Sequence, residues 1–406
     1  MRNAFLAGVL ALACSACATT APPDGGGAAT ALSVPDNARC AGAGVAIDTA
    51  FDAGALASCT IDAAGKITIT IAPEDAPPIN CSPWYAFRLH SAQAREVEII
   101  LRYEACGHRY WPKISSNGID WQYLPKKAIS ISAFAGRDQA KITVRTSGTP
   151  VFVAAQEIIV PATYNAWLDG LERKSEVTRS LLGKSAQDRD IEMIRFGNRN
   201  AREQVVLIGR QHPPEVSGAL AMFPFVETLL GDDPLARQFR ERFQVTAVPL
   251  VNPDGVVLGH WRHSTGGLDL NRDWLDFSQP ETQLLNGLLR AIAANPDQQL
   301  SFFSDFHSTA KDVFYTIPDR FPSTPPKVIS TWLERYQARM PGYKVTIEAN
   351  HSPGSNVSKG SVYDSYGAPT VTFELGDETD RELIKRIGRE SAIAMMEVLL
   401  ATDQGE

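Results

Sequence analysis

No cysteine occurs in the last 300 residues of this 406-residue sequence; all six lie at or before Cys106. Thiolate-bound metals and catalytic thiols are therefore excluded from most of the chain. A basic excess is also missing. Lys and Arg number 39 against 46 Asp and Glu, a net charge of −7, which leaves no electrostatic footprint for nucleic acid. Beyond the first residues there is no run of 18 uncharged apolar residues, so only a tether would bring the mature chain to a membrane. No internal repeat is present. The remaining composition, 44% hydrophobic and 21% charged, belongs to a folded protein. Its length suffices for two domains and a sizeable core.

Residues 1–18, MRNAFLAGVLALACSACA, read as a secretory signal: Arg2 opens it, Phe5 to Ala13 are apolar, and small residues follow. Ala16-Cys17-Ala18 fits a signal-peptidase site. Ala11-Leu12-Ala13-Cys14 partly matches a bacterial lipoprotein box, without leucine at its usual place. Both outcomes stay open. Either predicts an exported protein, periplasmic, lipid-anchored to the envelope or secreted. Residues 19–38 form a flexible linker.

Four cysteines remain in the mature chain: Cys40, Cys59, Cys81 and Cys106. In an exported chain they predict two disulfides, with three connectivities open. No C-x2-C pair supports a zinc site among them. Around them, Lys66–Ile71 alternates with period two, and Trp84–Leu89 and Val97–Tyr103 look like further strands. Short strands separated by turns predict an antiparallel β-sandwich over 39–158. His90 and His108 lie within it as ordinary histidines.

At Pro161 the pattern changes to helices alternating with short apolar strands, which predicts an α/β domain over 159–406. Helices are expected over 163–182, 217–230, 281–294, 330–340 and 379–400. Strands are expected at 191–194, 205–208, 245–251, 300–306 and 370–375.

His212-Pro213-Pro214-Glu215 follows the strand Val205–Ile208. An imidazole and a carboxylate three residues apart can face one ion across a tight turn. A catalytic Zn2+ takes three such N/O ligands and keeps one position open for water. The strand Leu300–Phe306 delivers His307 at the end where sites sit in open α/β sheets. Between them, Asn252-Pro253-Asp254-Gly255 marks a turn, and Arg262 and Asp269-Leu270-Asn271-Arg272 follow. In an extended stretch Asp269 and Asn271 share one face.

Together HPPE, VNPDGV, LDLNRDW, FHS and TVTFELGD (370–377) resemble the zinc metallocarboxypeptidases of the carboxypeptidase A/B type. The resemblance is nearest to the cytosolic-carboxypeptidase subgroup, whose members carry a β-sandwich ahead of the catalytic domain. RYWPKISSNGIDWQYLP (109–125) is similar to that leader. The resemblance spans about residues 80–400 and implies a mixed central sheet flanked by helices, holding one Zn2+. It implies that His212, Glu215 and His307 are the zinc ligands, Glu374 the catalytic glutamate and Arg262 the arginine that polarises the scissile carbonyl. Asn271 and Arg272 would hold the substrate's terminal carboxylate, and Asp269 would back the first zinc histidine. The chemistry asks for these groups: a base for the water proton, a cation for the developing oxyanion, a bidentate fork for a planar carboxylate.

The loop 351–369 departs from the digestive members, since neither Tyr363 nor Tyr366 matches their closing tyrosine. Lys359 stands roughly where the subgroup places a basic residue for an acidic terminal side chain. His260, His263 and His351 match no motif. The subgroup's work on cytoplasmic tubulin tails does not carry over to an exported chain. The expected partner is a peptide or peptidoglycan-derived peptide with a free C-terminus. Two other readings stay open: a zinc amidohydrolase or deacylase acting on N-acyl amino acids or murein amides, and a catalytically silent binding protein.

Overall fold

The computed structural model describes Leu32 and residues 34–402, apart from Pro78 and Ser175. The signal segment 1–18, with Cys14 and Cys17, and most of the linker lie outside the described residues. No helix among the described residues is long and apolar enough to cross a membrane.

The N-terminal part forms two sheets. One has six strands, built around Val45–Asp48, Ala86–Ser91 and Val151–Ala154. The other has five, built around Ile67–Ile71, Glu96–Tyr103 and Arg137–Arg145. Alternating residues from both, among them Ile47, Phe87 and Leu89 with Ile69, Ile99 and Ile142, bury into a single core. The six-stranded sheet is antiparallel throughout, as expected; in the five-stranded one Ile67–Ile71 departs from the expectation by pairing parallel to Glu96–Tyr103. The strand between them in sequence, Ala86–Ser91, joins the other sheet, so the chain returns running in its original direction. The disulfides are Cys40–Cys59 and Cys81–Cys106. The first ties a strand of one sheet to a strand of the other. Each closes a short loop, which stabilises the fold by roughly 3 kcal/mol on chain-entropy grounds.

The C-terminal part is a mixed eight-stranded sheet. Its centre is a parallel trio, Glu203–Gly209, Gln299–Thr309 and Thr370–Gly376, with Phe243–Val248 also parallel to the first. These strands are buried on both faces, and in the first of them Val205–Ile208 reads as an unbroken apolar run. Val205 and Leu207 face the helices Val216–Leu229 and Arg381–Ala401, while Val206 and Ile208 face Pro280–Ala294. Phe302, Phe306 and Phe373 are almost wholly buried, each contributing about 1.5–3 kcal/mol. In the parallel ladder His307 lies opposite Glu374.

Three local expectations fail. The helix expected over 163–182 stops at Glu172, and Thr178–Lys184 is an edge strand paired antiparallel with Asp190–Gly197. Lys359 lies in the first turn of a helix, Ser358–Tyr366, rather than in a loop. The strand carrying His307 runs on to Thr309, so this histidine sits inside the ladder and not beyond it.

Candidate active site

The turn after Gly209 carries His212, and two prolines later Glu215 occupies the N-cap position of helix Val216–Leu229. Its carboxylate does not cap that helix. Instead Oε1 lies 2.8 Å from His212 Nδ1, and Oε2 lies 2.7 Å from His307 Nδ1. The two Nδ1 atoms are 3.1 Å apart, and all three side chains are buried. Close approach of the helix makes this convergence reachable. A Cβ on Gly218 would fall 2.6 Å from the carbonyl oxygen of His307, so only glycine lets the helix sit there.

Each imidazole is backed on its other side by a carboxylate. Asp269 Oδ1 is 2.8 Å from His212 Nε2, and Asp305 Oδ2 is 2.8 Å from His307 Nε2. These partners place the ring proton on Nε2, and both Nδ1 lone pairs then point with Glu215 at one position. Two lone pairs and a carboxylate meeting in a buried volume require a cation. The protonation balance agrees: burial opposes a charged His307, yet Asp305 and Glu215 raise its pKa well above that of a free imidazole. A position that draws in a proton so strongly suits a divalent ion that displaces it. His212, Glu215 and His307 therefore fit the donor set of a catalytic zinc.

Glu374 sits beside this cluster. Its Oε2 is buried and has no hydrogen-bond partner among the described residues. Burial and the charge of Glu215 push its carboxyl up to about 8, against the pull of His307 and Arg262. The Arg262 guanidinium is held at Nε by Asp269 Oδ2, 2.8 Å away, and its Nη1 lies 3.2 Å from Glu215 Oε1. Burial alone would raise the Asp269 carboxyl, but His212 and Arg262 hold it far below the usual range.

Asn271 and Arg272 lie on a short 3-10 turn, Leu270–Arg272, capped by Asp269. The backbone N–H of Ser358 donates to Asn271 Oδ1 at 2.8 Å, while the Arg272 side chain is exposed and bonds the carbonyl of Asn271. The Lys359 ammonium is buried and donates to Thr316 O, Asn350 O and Asn350 Oδ1. It pairs with no carboxylate among the described residues, and burial lowers its pKa to about 8. A cleft of about 300 Å³ is lined by His212, Glu215, Arg262, Asn271, Arg272, Lys359 and Glu374. His307 and Asp269 stand behind it. A larger, mostly apolar groove of about 1380 Å³ beside helix Arg381–Ala401 holds none of these residues.

Three contributors escaped sequence reasoning. Asp305 lies two residues before His307 on one strand, so period two alone places it on the same face. Arg109 and Asn80 reach the cleft from the N-terminal part. Arg109 donates to Asp377 and to the carbonyl of Cys81, contacts made across 268 and 28 residues.

Comparison with known proteins agrees with this arrangement. Residues 164–389 match the family described as zinc carboxypeptidase. Cytosolic carboxypeptidase 6 of Mus musculus is 35% identical over 162 residues, covering 36% of this chain and 30% of that protein. The Homo sapiens protein of the same name is 33% identical, covering 36% and 32%. The chain thus spans about a third of the length of these relatives. Among solved structures, a metallo-carboxypeptidase from Burkholderia cenocepacia shares the fold with TM-score 0.75 at 20% identity, over 88% of this chain and all of that one. One from Pseudomonas aeruginosa gives 0.71 at 21% identity, over 87% and 99%. With the family match covering more than half of its residues, the chain belongs to the zinc carboxypeptidase family.

Proposed function

We propose that this metallocarboxypeptidase hydrolyses the last peptide bond of peptides with a free C-terminus, using Glu374 as base. The observation that carries the reading is the convergence of both Nδ1 atoms and Glu215 beside a carboxylate oxygen that has no partner. A zinc ion held by His212, Glu215 and His307 would supply Lewis-acid polarisation and an acidified water at neutral pH. Glu374 takes the proton of the attacking water and passes it to the leaving amine. Arg262, fixed by Asp269, donates to the oxygen on which charge develops. Asn271 and the exposed fork of Arg272 receive the terminal carboxylate. The two disulfides support an oxidising compartment, so extracytoplasmic peptides, cell-wall peptides included, are the proposed substrates. The two N-terminal sheets, with their shared core, are read as a sandwich domain over 39–158 ahead of a catalytic domain over 159–406.

Paired assays with free and amidated C-termini test the exopeptidase assignment. The wild type is expected to cleave only the free acids. Arg272→Ala should lower kcat/KM on them by about 10–100-fold, the size of a lost charge-assisted contact. Equal cleavage of amidated peptides by the wild type would instead favour the amidohydrolase reading.

Lys359 gives the cleft a second preference, for an acidic terminal side chain. Its buried ammonium lacks an anion, which such a side chain would supply. The ammonium is charged below about pH 8 and neutral above it. The ratio of kcat/KM for peptides ending in Glu to those ending in Gln should therefore fall about tenfold between pH 7 and pH 9. Taking the ratio cancels whatever the two substrates share, the Glu374 carboxyl included. In Lys359→Met the ratio should be low and flat with pH. A ratio that stays high in that variant would remove Lys359 from the pocket.

A further inference from the structure

We propose that Glu74, in the N-terminal part of the chain, is a positioning residue for Arg262; the inference rests on the role of Arg262 proposed above. Glu74 lies just beyond the strand Ile67–Ile71 and is half-buried. Its carboxylate accepts three consecutive backbone N–H groups. Trp261 N donates to Oε2 at 2.6 Å, and Arg262 N and His263 N donate to Oε1 at 2.9 and 2.7 Å. Residues 260–263 belong to no helix or strand, so no ladder satisfies those amides or holds the segment in place. One carboxylate does both.

The surroundings grip the same segment. The neighbouring Asp75 pairs with His263 Nδ1 at 2.7 Å. The Trp261 ring is buried in the core shared by the two N-terminal sheets. One residue earlier than His260, Gly259 has φ +66°. A Cβ there would fall 2.9 Å from the carbonyl oxygen of Ala53, which itself accepts from Trp84 Nε1. The backbone N–H of Ala53 donates to Val257 O at 2.7 Å. The N-terminal part thus grips the segment on both sides of Arg262.

The consequence is mechanical. Arginine has a long flexible stem, and its guanidinium reaches Asp269 and Glu215 only if its Cα is held where it is. Small misplacements of a charge-stabilising group cost as much as about 10²-fold in rate. Glu74 touches no substrate. It sets the origin from which the Arg262 side chain extends, and it makes the N-terminal sheets part of the catalytic apparatus.

The test is a double-mutant cycle in the full-length zinc-loaded protein. Glu74→Ala should lower kcat by about 10–100-fold with KM within about twofold and zinc content unchanged. Inhibition by a phosphonate analogue of the tetrahedral species should weaken in parallel, while inhibition by the released amino acid stays as in the wild type. In an Arg262→Ala background, Glu74→Ala should cost less than about twofold more. A purely structural role would move KM, zinc content and both inhibitors together. If Glu74→Ala does not fold, Glu74→Gln carries the same cycle with a smaller loss, about 3–10-fold, since its single carbonyl oxygen serves fewer amides. Losses that multiply with those of Arg262→Ala, or a wild-type kcat in both Glu74 variants, overturn the inference and leave the Arg262 role standing. An Arg262→Ala variant with undiminished turnover overturns that role, and this inference with it.

Discussion

Glu374→Gln is expected to retain its zinc and bind peptides with an ordinary KM while losing about 10³-fold in kcat. Positioned acid–base groups contribute 10²- to 10⁴-fold, and this carboxylate is asked to act twice in each turnover. Glutamine has the same shape but cannot take up the water proton. The native Oε2 has no hydrogen-bond partner among the described residues to lose, so the substitution should leave its neighbours in place. Stopped assays on a free-acid peptide, with metal analysis of the same sample, measure both halves of the prediction. Wild-type turnover in this variant would mean that another group is the base.

Removal of the metal should have an effect at least as large. Dialysis against a chelator is expected to abolish cleavage, and one equivalent of zinc to restore it. The folded state should also lose stability, because only it presents both Nδ1 atoms and Glu215 at one point. At a thousandfold excess over Kd, binding contributes about 4 kcal/mol. Thermal melts with and without zinc should therefore separate by several degrees, and by more as zinc concentration rises. A chelated protein that retained full activity would refute the zinc-dependent mechanism.

The parts of the site that could be read in the sequence are those governed by short-range geometry. His212 and Glu215 are three residues apart across a turn, and Asp269 precedes the Asn271-Arg272 pair by two. An apolar run leading into FHS marks His307 as a strand residue, although the strand runs on past it to Thr309. The structure does bring His212, Glu215 and His307 together. Other features depend on tertiary pairing, which no local pattern encodes. Thr178–Lys184 carries helix-like spacing but is recruited as an edge strand by its neighbour Asp190–Gly197. Lys359 lay in a stretch rich in Ser and Gly, and its helix is closed by Gly367 in the left-handed region. Cys81 pairs with Cys106 rather than Cys40 or Cys59 because of where the sheets place them. Arg109, Asn80 and Glu74 reach the site from parts of the chain more than a hundred residues before His212; Arg109 opens the leader-like stretch 109–125, but no local pattern there points to the site.

The ladder that sets His307 opposite Glu374 also bears on how such a chain tolerates change in length. Backbone hydrogen bonds fix that pairing, so the separation of His307 and Glu374 is independent of the residues between them. Residues 310–369 hold two further helices, Val328–Arg339 and Ser358–Tyr366, and two short strands. Insertions in the loops joining these elements would leave the strands of His307 and Glu374 in step. One residue inserted between Val371 and Phe373 would instead turn Glu374 to the opposite face of the sheet. Around this site, reading frame within a strand matters more than distance along the chain.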